Sequence, residues 1–451
     1  MGPKSNIGAR PPVGTWGVSL VVLGLALAVL GPRPSVAQVS PSAETQAGEP
    51  VAPTDWVRYR GPDGDGREES AELILPWPTE GPPQLWSVPV GGGFSAVAAA
   101  GNRLYTLASE GRDELLLAFD HDDGSEVWRL RTDDKRRDSF GDGPRSTPVV
   151  DGERVFAVSA LGRLWAVNRH DGTVLWQHDL RRELGAMVPT WGVSASPTVE
   201  GDLLLFDVGG RRGHGIVAFD KTNGEIAWAT ESGIPGYSLP LSVALDGIRQ
   251  TVFFTGSKVL ALNPEDGSTL WSKPWKTAYD VNAAAPVFVP PQGIFISSGY
   301  DTGASLFKVE KHDGALTAKE QWHSDTMRNH FSSSVYHDGF LYGFDDKELK
   351  CLDARTGHEQ WRKVGFGHGT LIYVDGHLVV LGDRGLLALV KATSERYHEV
   401  AAAAQGDAKH WTAPTFHRGR LLVRNQRQLT AIQIAALDSQ AHNEKQLGDP
   451  P

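Results

Sequence analysis

The chain has 451 residues, with 54 acidic against 44 basic side chains and a formal charge of -10. That balance excludes a nucleic-acid-binding surface, because phosphate neutralisation needs clustered Lys and Arg, and the short basic run at 135–137 is flanked by Asp134 and Asp138. The single cysteine, Cys351, excludes an internal disulfide, so stability must come from packing.

At the amino terminus Lys4 and Arg10 precede an apolar run over about residues 16–31 and then "PSVAQ", with small Ser35 and Ala37 placed for cleavage after Ala37. The run is shorter than the ~20 residues that span a bilayer comfortably. The pattern therefore predicts a cleaved export signal over 1–37, a periplasmic or extracellular destination and no stable membrane anchor afterwards. No cysteine lies near the site, which rules out lipid attachment there. Residues 38–54, rich in Pro, Ala, Ser and Glu without an apolar period, read as a solvated linker. Residues 438–451 read as a loose tail, leaving 55–437 as the folded domain.

Along that domain a unit recurs at about 40 to 50 residues. Its copies are "LAFDHDDGSEVW" (117–128), "WAVNRHDGTVLW" (165–176), "VAFDKTNGEIAW" (217–228), "LALNPEDGSTLW" (260–271) and "KCLDARTGHEQW" (350–361). Each carries a small residue, then Asp or Asn two positions later, then a turn glycine, and a tryptophan four residues after it. Apolar alternation before the Asp predicts a half-buried strand, and the x-Gly pair supplies the positive φ of a tight hairpin. "FKVEKHDGALTAKEQW" (307–322) has an insertion before Trp322, and "LALVKATSERYHEV" (387–400) has lost both glycine and tryptophan. The final copy, "LTAIQIAAL" (429–437), stops short of any tryptophan.

Upstream of each copy lie two more short alternating runs, as in "STPVVDGERVFAVS" and "GTLIYVDGHLVVLG". One unit is thus four antiparallel strands, a propeller blade. Inner strands start near Phe94, Arg145, Ser194, Ser238, Ala283, Phe331, Gly369 and Thr412, which predicts an all-β, eight-bladed β-propeller. The last unit lacks an outer strand, and an orphan one, "PPQLWSVPV" (82–90) with Trp86, stands at the other end. The N-terminal strand is expected to complete the last blade and close the ring, removing exposed sheet edges. Trp86, Trp128, Trp176, Trp228, Trp271, Trp322 and Trp361 are expected to dock between blades, each offering its indole N–H to a backbone carbonyl.

The A-x-D-x-x-T/D-G-x-x-x-W pattern resembles the tryptophan-docking repeat of pyrroloquinoline-quinone-type eight-bladed propellers, over about residues 56–436. That superfamily contains quinoprotein alcohol dehydrogenases and the lipoprotein of the outer-membrane assembly machinery. "RGPDGDG" (60–66), "HFSSSVYHDGFLYGFD" and "HWTAPTFHRGRLLVRN" resemble exported repeat proteins named for the motif and not for an activity. A dehydrogenase of this kind holds PQQ over a tryptophan and under a disulfide of adjacent cysteines, with Ca²⁺ and an aspartate base. Cys351 is alone, and nothing matches the calcium ligands or the base, so neither PQQ nor calcium is assigned to any residue here. "DGDGREESAE" (63–72) puts Arg67 and Glu68 where a calcium loop needs an oxygen ligand and a glycine, and reads as a turn.

In a propeller the loops leading into each inner strand gather at one mouth of the channel. Aligning the units on the S-x-P-V register places Phe94, Arg145, Ser194, Tyr237, Asn282, His330, His368, His410 and Trp411 there. Such a set mixes aromatic faces with imidazole and guanidinium donors, which suits a small polar or anionic ligand, a glycan, a peptide end or a protein partner. His330, His368 and His410 would also allow a metal, and hydrogen bonding among these side chains to plug the channel is the blander outcome. The expected function is an exported, non-catalytic binding or scaffold module, against a quinoprotein dehydrogenase or an envelope-assembly scaffold.

Overall fold

The computed structural model describes residues 51–436. The signal, most of the linker and the whole of the tail lie outside the described residues.

Eight four-stranded antiparallel sheets follow one another along the chain. Blade 1 consists of Ala98–Ala100, Arg103–Glu110, Asp113–Asp120 and Glu126–Asp134, from the innermost strand outward. The innermost strands of blades 2 to 8 are Val149–Asp151, Thr198–Glu200, Leu241–Leu245, Val287–Val289, Val335–His337, Thr370–Val374 and Thr415–His417. Blade 8 takes its outermost strand, Gln84–Pro89, from the other end of the domain, where it pairs with Gln428–Gln433. The ring is closed as the repeat count requires. No helix among the described residues is long and apolar enough to cross a membrane.

The repeated word explains the cohesion between blades. Five of the docking tryptophans lie opposite the small residue of their own unit: Ala118 faces Trp128, Ala166 faces Trp176, Ala218 faces Trp228, Ala261 faces Trp271 and Cys351 faces Trp361. Cys351 is therefore a small apolar group in a strand, fully buried, its thiol pushed up to about 12 by that burial. The indole then reaches the next blade, where its N–H bonds the carbonyl of the hairpin: Trp86 to His121 (3.1 Å), Trp128 to Arg169 (3.0 Å), Trp176 to Lys221 (3.2 Å). Its ring lies flat on the turn glycine. A Cβ on Gly224 would stand 2.9 Å from the Trp176 ring, and its φ of +79° is costly for other residues.

Trp271 departs from the expected pattern. Blade 5 has the insertion, and its strands Gly303–His312 and Ala315–Ser324 run long, so no docking hairpin stands where Trp271 would reach one. Its N–H instead finds the side-chain oxygen of Gln250 at 2.7 Å, while Leu316 and Ala318 of the long hairpin pack into the same cluster.

The amino-terminal segment does something the sequence did not indicate. The turn expected at its glycines is present, but residues 55–68 as a whole cross the channel, bonding innermost strands on opposite sides. The carbonyls of Trp56 and Val57 accept from Ala99 and Val150, Arg58 donates to Thr198 Oγ1, and Arg60 donates to the carbonyls of Ser333 and Ser334. Arg67–Glu68 then pairs in parallel with blade 7, and Asp55 accepts from His417 of blade 8 at 2.8 Å. Inner strand edges otherwise face an open channel with unpaired backbone groups, which this segment satisfies. Even the end of the expected linker is engaged, with Val51 packed on the core.

Candidate functional site

The loops entering the inner strands and the loops between second and third strands meet at the mouth, around a cavity of about 210 Å³. Its wall carries Phe94, Phe140, Trp191, Tyr237, Tyr300, His330, Phe331 and Trp411, and Tyr59 of the crossing segment supplies its floor. The rings form a nearly continuous collar. Trp191 meets Tyr279 at 6.3 Å between centroids, Tyr279 meets Tyr300 at 5.7 Å, and Tyr300 meets His330 at 5.0 Å. His330 contacts Phe331 at 5.5 Å, Phe331 meets Trp411 at 5.0 Å, and Trp411 stacks on Phe94 at 5.8 Å.

One cation enters this aromatic wall. The Arg145 guanidinium lies 5.2 Å from the Phe94 ring centre and 3.5 Å from Asp138. Burial pulls its pKa down, against the carboxylate of Asp138. Asp138 in turn is shared with Arg136 at 2.8 Å and accepts from the Phe140 amide. Burial would raise its pKa, but those hydrogen bonds and the two arginines outweigh it, and the carboxyl sits below its usual range. Two guanidinium groups thus divide one carboxylate. Lys409 adds a third positive charge at the rim, 4.0 Å from the Trp411 ring centre.

Of the nine residues expected at the mouth, Phe94, Arg145, Ser194, Tyr237, His330 and Trp411 line the cavity. Three do not. Asn282 is fully buried, donating to Thr255 O and accepting from Ser298 Oγ, both at 2.7 Å. His410 is 2 % exposed, with Nδ1 on the Ala408 carbonyl. His368 stands behind His330, 5.5 Å between rings, with Nδ1 3.3 Å from Asp346. The histidines do not form a metal centre: among the described residues no group of three or more His, Cys, Asp or Glu is placed to hold an ion. His330 has its pKa lowered by burial and by His368, and its Nδ1 has no hydrogen-bond partner among the described residues.

The sequence reading missed Phe140, Trp191, Tyr279, Tyr300 and Tyr59. The first four sit in short loops, "DSFGDG", "TWGVS", "TAYDV" and "SSGYDTG", away from the position just before each inner strand. Large rings in short polar loops were the available signal. Tyr59 carried none, because its place depends on the chain crossing the channel.

The dehydrogenase chemistry can be tested on these side chains. No aspartate or glutamate lines the cavity, so it offers neither a carboxylate base nor ligands for a divalent cation beside a quinone. The lone Cys351 is buried within blade 6. These residues do not fit a quinone with calcium, and no redox step is derived from them.

Among known proteins, the chain is 22% identical over 363 residues to the outer membrane protein assembly factor BamB of Yersinia pestis, covering 76% of this chain and 86% of that protein. It is 26% identical over 240 residues to the putative dehydrogenase XoxF of Paracoccus denitrificans, but spans 36% of that protein's length. Over 140 residues it is 26% identical to the quinoprotein alcohol dehydrogenase PedH of Pseudomonas putida, 23% of whose length it spans. In fold it is similar to BamB from Moraxella catarrhalis (TM-score 0.56, 15% identity, 78% of this chain and 97% of that one). It is also similar to the quinohemoprotein alcohol dehydrogenase ADHIIG of Pseudomonas putida HK5 (TM-score 0.58, 12% identity, 86% and 81%). Residues 81–211, 188–363 and 345–445 match the family described as outer membrane protein assembly factor BamB, and the chain belongs to that family.

Proposed function

We propose that the protein is an exported, non-catalytic scaffold of the cell envelope that engages a protein partner through the channel mouth. The observation that carries this reading is the collar itself: aromatic rings around a cavity of about 210 Å³ that is not filled by their mutual contacts. Tyr279 is 72% and Phe140 50% exposed, and large rings held in solvent at the edge of a concave site are characteristic of binding surfaces. The similarity to assembly factors over most of both chains supports a protein partner, and the amino-terminal signal pattern supports export. A site without a carboxylate favours recognition over catalysis.

Hydroxyl-radical footprinting of the full chain, purified alone and in detergent extract of its own cell envelope, tests this. Protection of Phe140, Trp191, Tyr279, Tyr300 and Trp411 in the extract is expected. Protection confined to the opposite face, with these rings as reactive as in the purified chain, would overturn it.

A further inference from the structure

We infer that the mouth binds the carboxy-terminal end of a polypeptide, with a large apolar last side chain in the collar and its terminal carboxylate on Arg145. This deepens the reading above and rests on the mouth being the partner site.

Three observations lead to it. The wall carries a positive surplus, since Arg136 and Arg145 share one Asp138 and no acidic residue lines the cavity, in a chain whose overall charge is -10. A cationic or amino-terminal ligand is disfavoured there, and a single anionic head is favoured. The rest of the wall is mainly aromatic and aliphatic, with the small hydroxyls of Thr147, Ser194, Ser196 and Thr412 set among the rings, so the body next to that head is mainly apolar.

The crossing segment decides between a chain end and a loop. Tyr59, on the segment that crosses the channel, lines the cavity next to Arg60, which is 2% exposed and donates to the carbonyls of Ser333, Ser334 and Asp65. An entering chain therefore has to stop. The exposed rings of Tyr279, beside the lining, and of Phe140, in the wall, can cover the residues that precede the end. A free small acid would leave them bare.

The test is fluorescence anisotropy of an amino-terminally labelled pentapeptide ending in phenylalanine, as free acid and as amide, titrated with the full chain. The acid is expected to bind about tenfold more tightly or better, as a charge-assisted contact implies. Arg145→Gln should remove that preference while leaving the amide's affinity in place, and Arg145→Lys should retain part of it, with melting curves showing that each variant folds. Equal binding of acid and amide, or a preference that survives Arg145→Gln, overturns the inference. N-acetylphenylalanine competing as well as the peptide overturns the polypeptide end in favour of a small acid. Protection of the collar by the native partner, combined with no acid–amide difference, rejects this inference alone and leaves the mouth as the partner site.

Discussion

The two ends of each blade obey different rules. At the docking end one word is repeated, and the turn glycines Gly124, Gly172, Gly224, Gly267 and Gly357 each receive the tryptophan of the blade before. At the mouth, positions of equal register hold phenylalanine, arginine, serine, tyrosine, asparagine and histidine. The indoles of the docking end hold their N–H groups on hairpin carbonyls, whereas the mouth leaves His330 Nδ1 without a partner among the described residues and holds rings in solvent. Repetition marks where the ring is held together, and its absence marks where the blades are free to differ.

The strongest way to break this contrast is at the closure. Deleting residues 82–90 removes the outer strand of blade 8 and Trp86, and should abolish the single cooperative unfolding transition seen in calorimetry. A deletion variant that melts like the parent would show that the ring does not depend on it.

Next in size is the docking word. Trp176→Ala should cost about 3–5 kcal/mol in denaturant unfolding, the usual range for losing a buried aromatic. Trp411→Ala at the mouth should cost distinctly less, because that ring is only half-buried. Equal losses at both positions would erase the distinction between the two ends.

A third effect lies where the seams between blades approach the mouth. Glu114 is fully buried, and burial pushes its carboxyl up to about 8, against hydrogen bonds from the Ala160 amide and Thr132. Since the folded state holds this proton more tightly than the unfolded one, its contribution is present below pH 4.5 and is lost as pH rises towards 8. Glu114→Gln should therefore gain on the parent by a few kcal/mol between those limits, measured as the difference in unfolding free energy. His417 acts in the opposite sense: burial holds it down at about 4, so its contribution is full above pH 6.5 and fades as pH falls through 4. A parent–variant gap that does not widen with pH would place Glu114 in a more solvated seam.

The smallest expected change in stability is at the rim. Tyr279→Ala should alter unfolding by less than about 0.5 kcal/mol, as an exposed side chain would. It should nonetheless weaken capture of the envelope partner, read as loss of footprint protection at Trp191 and Tyr300. Loss of stability without loss of capture would move Tyr279 out of the site.

The blade count, the closure by residues 82–90 and the place of Cys351 were legible because each is written in local pattern: two-residue turns, alternation, and a tryptophan at fixed spacing from a glycine. The exception proves local too, since Trp271 lost its usual partner where the next unit carries an insertion. The mouth was legible only in part. Register named the residues that lead into each inner strand, but a one-residue shift decides whether a side chain faces the cavity, as Trp411 does, or turns into the core, as His410 does.

By itself, then, the sequence determined the repeating sheet and how its ends meet, because short-range turn and strand preferences are sufficient to specify those. The tertiary structure alone decided that residues 55–68 cross the channel and that Tyr59 floors the cavity. It also decided that rings from separate loops join into one collar around Arg145. Those arrangements depend on contacts between positions hundreds of residues apart, such as Arg60 with Ser334, and no local pattern encodes which edges a segment will find when the ring closes.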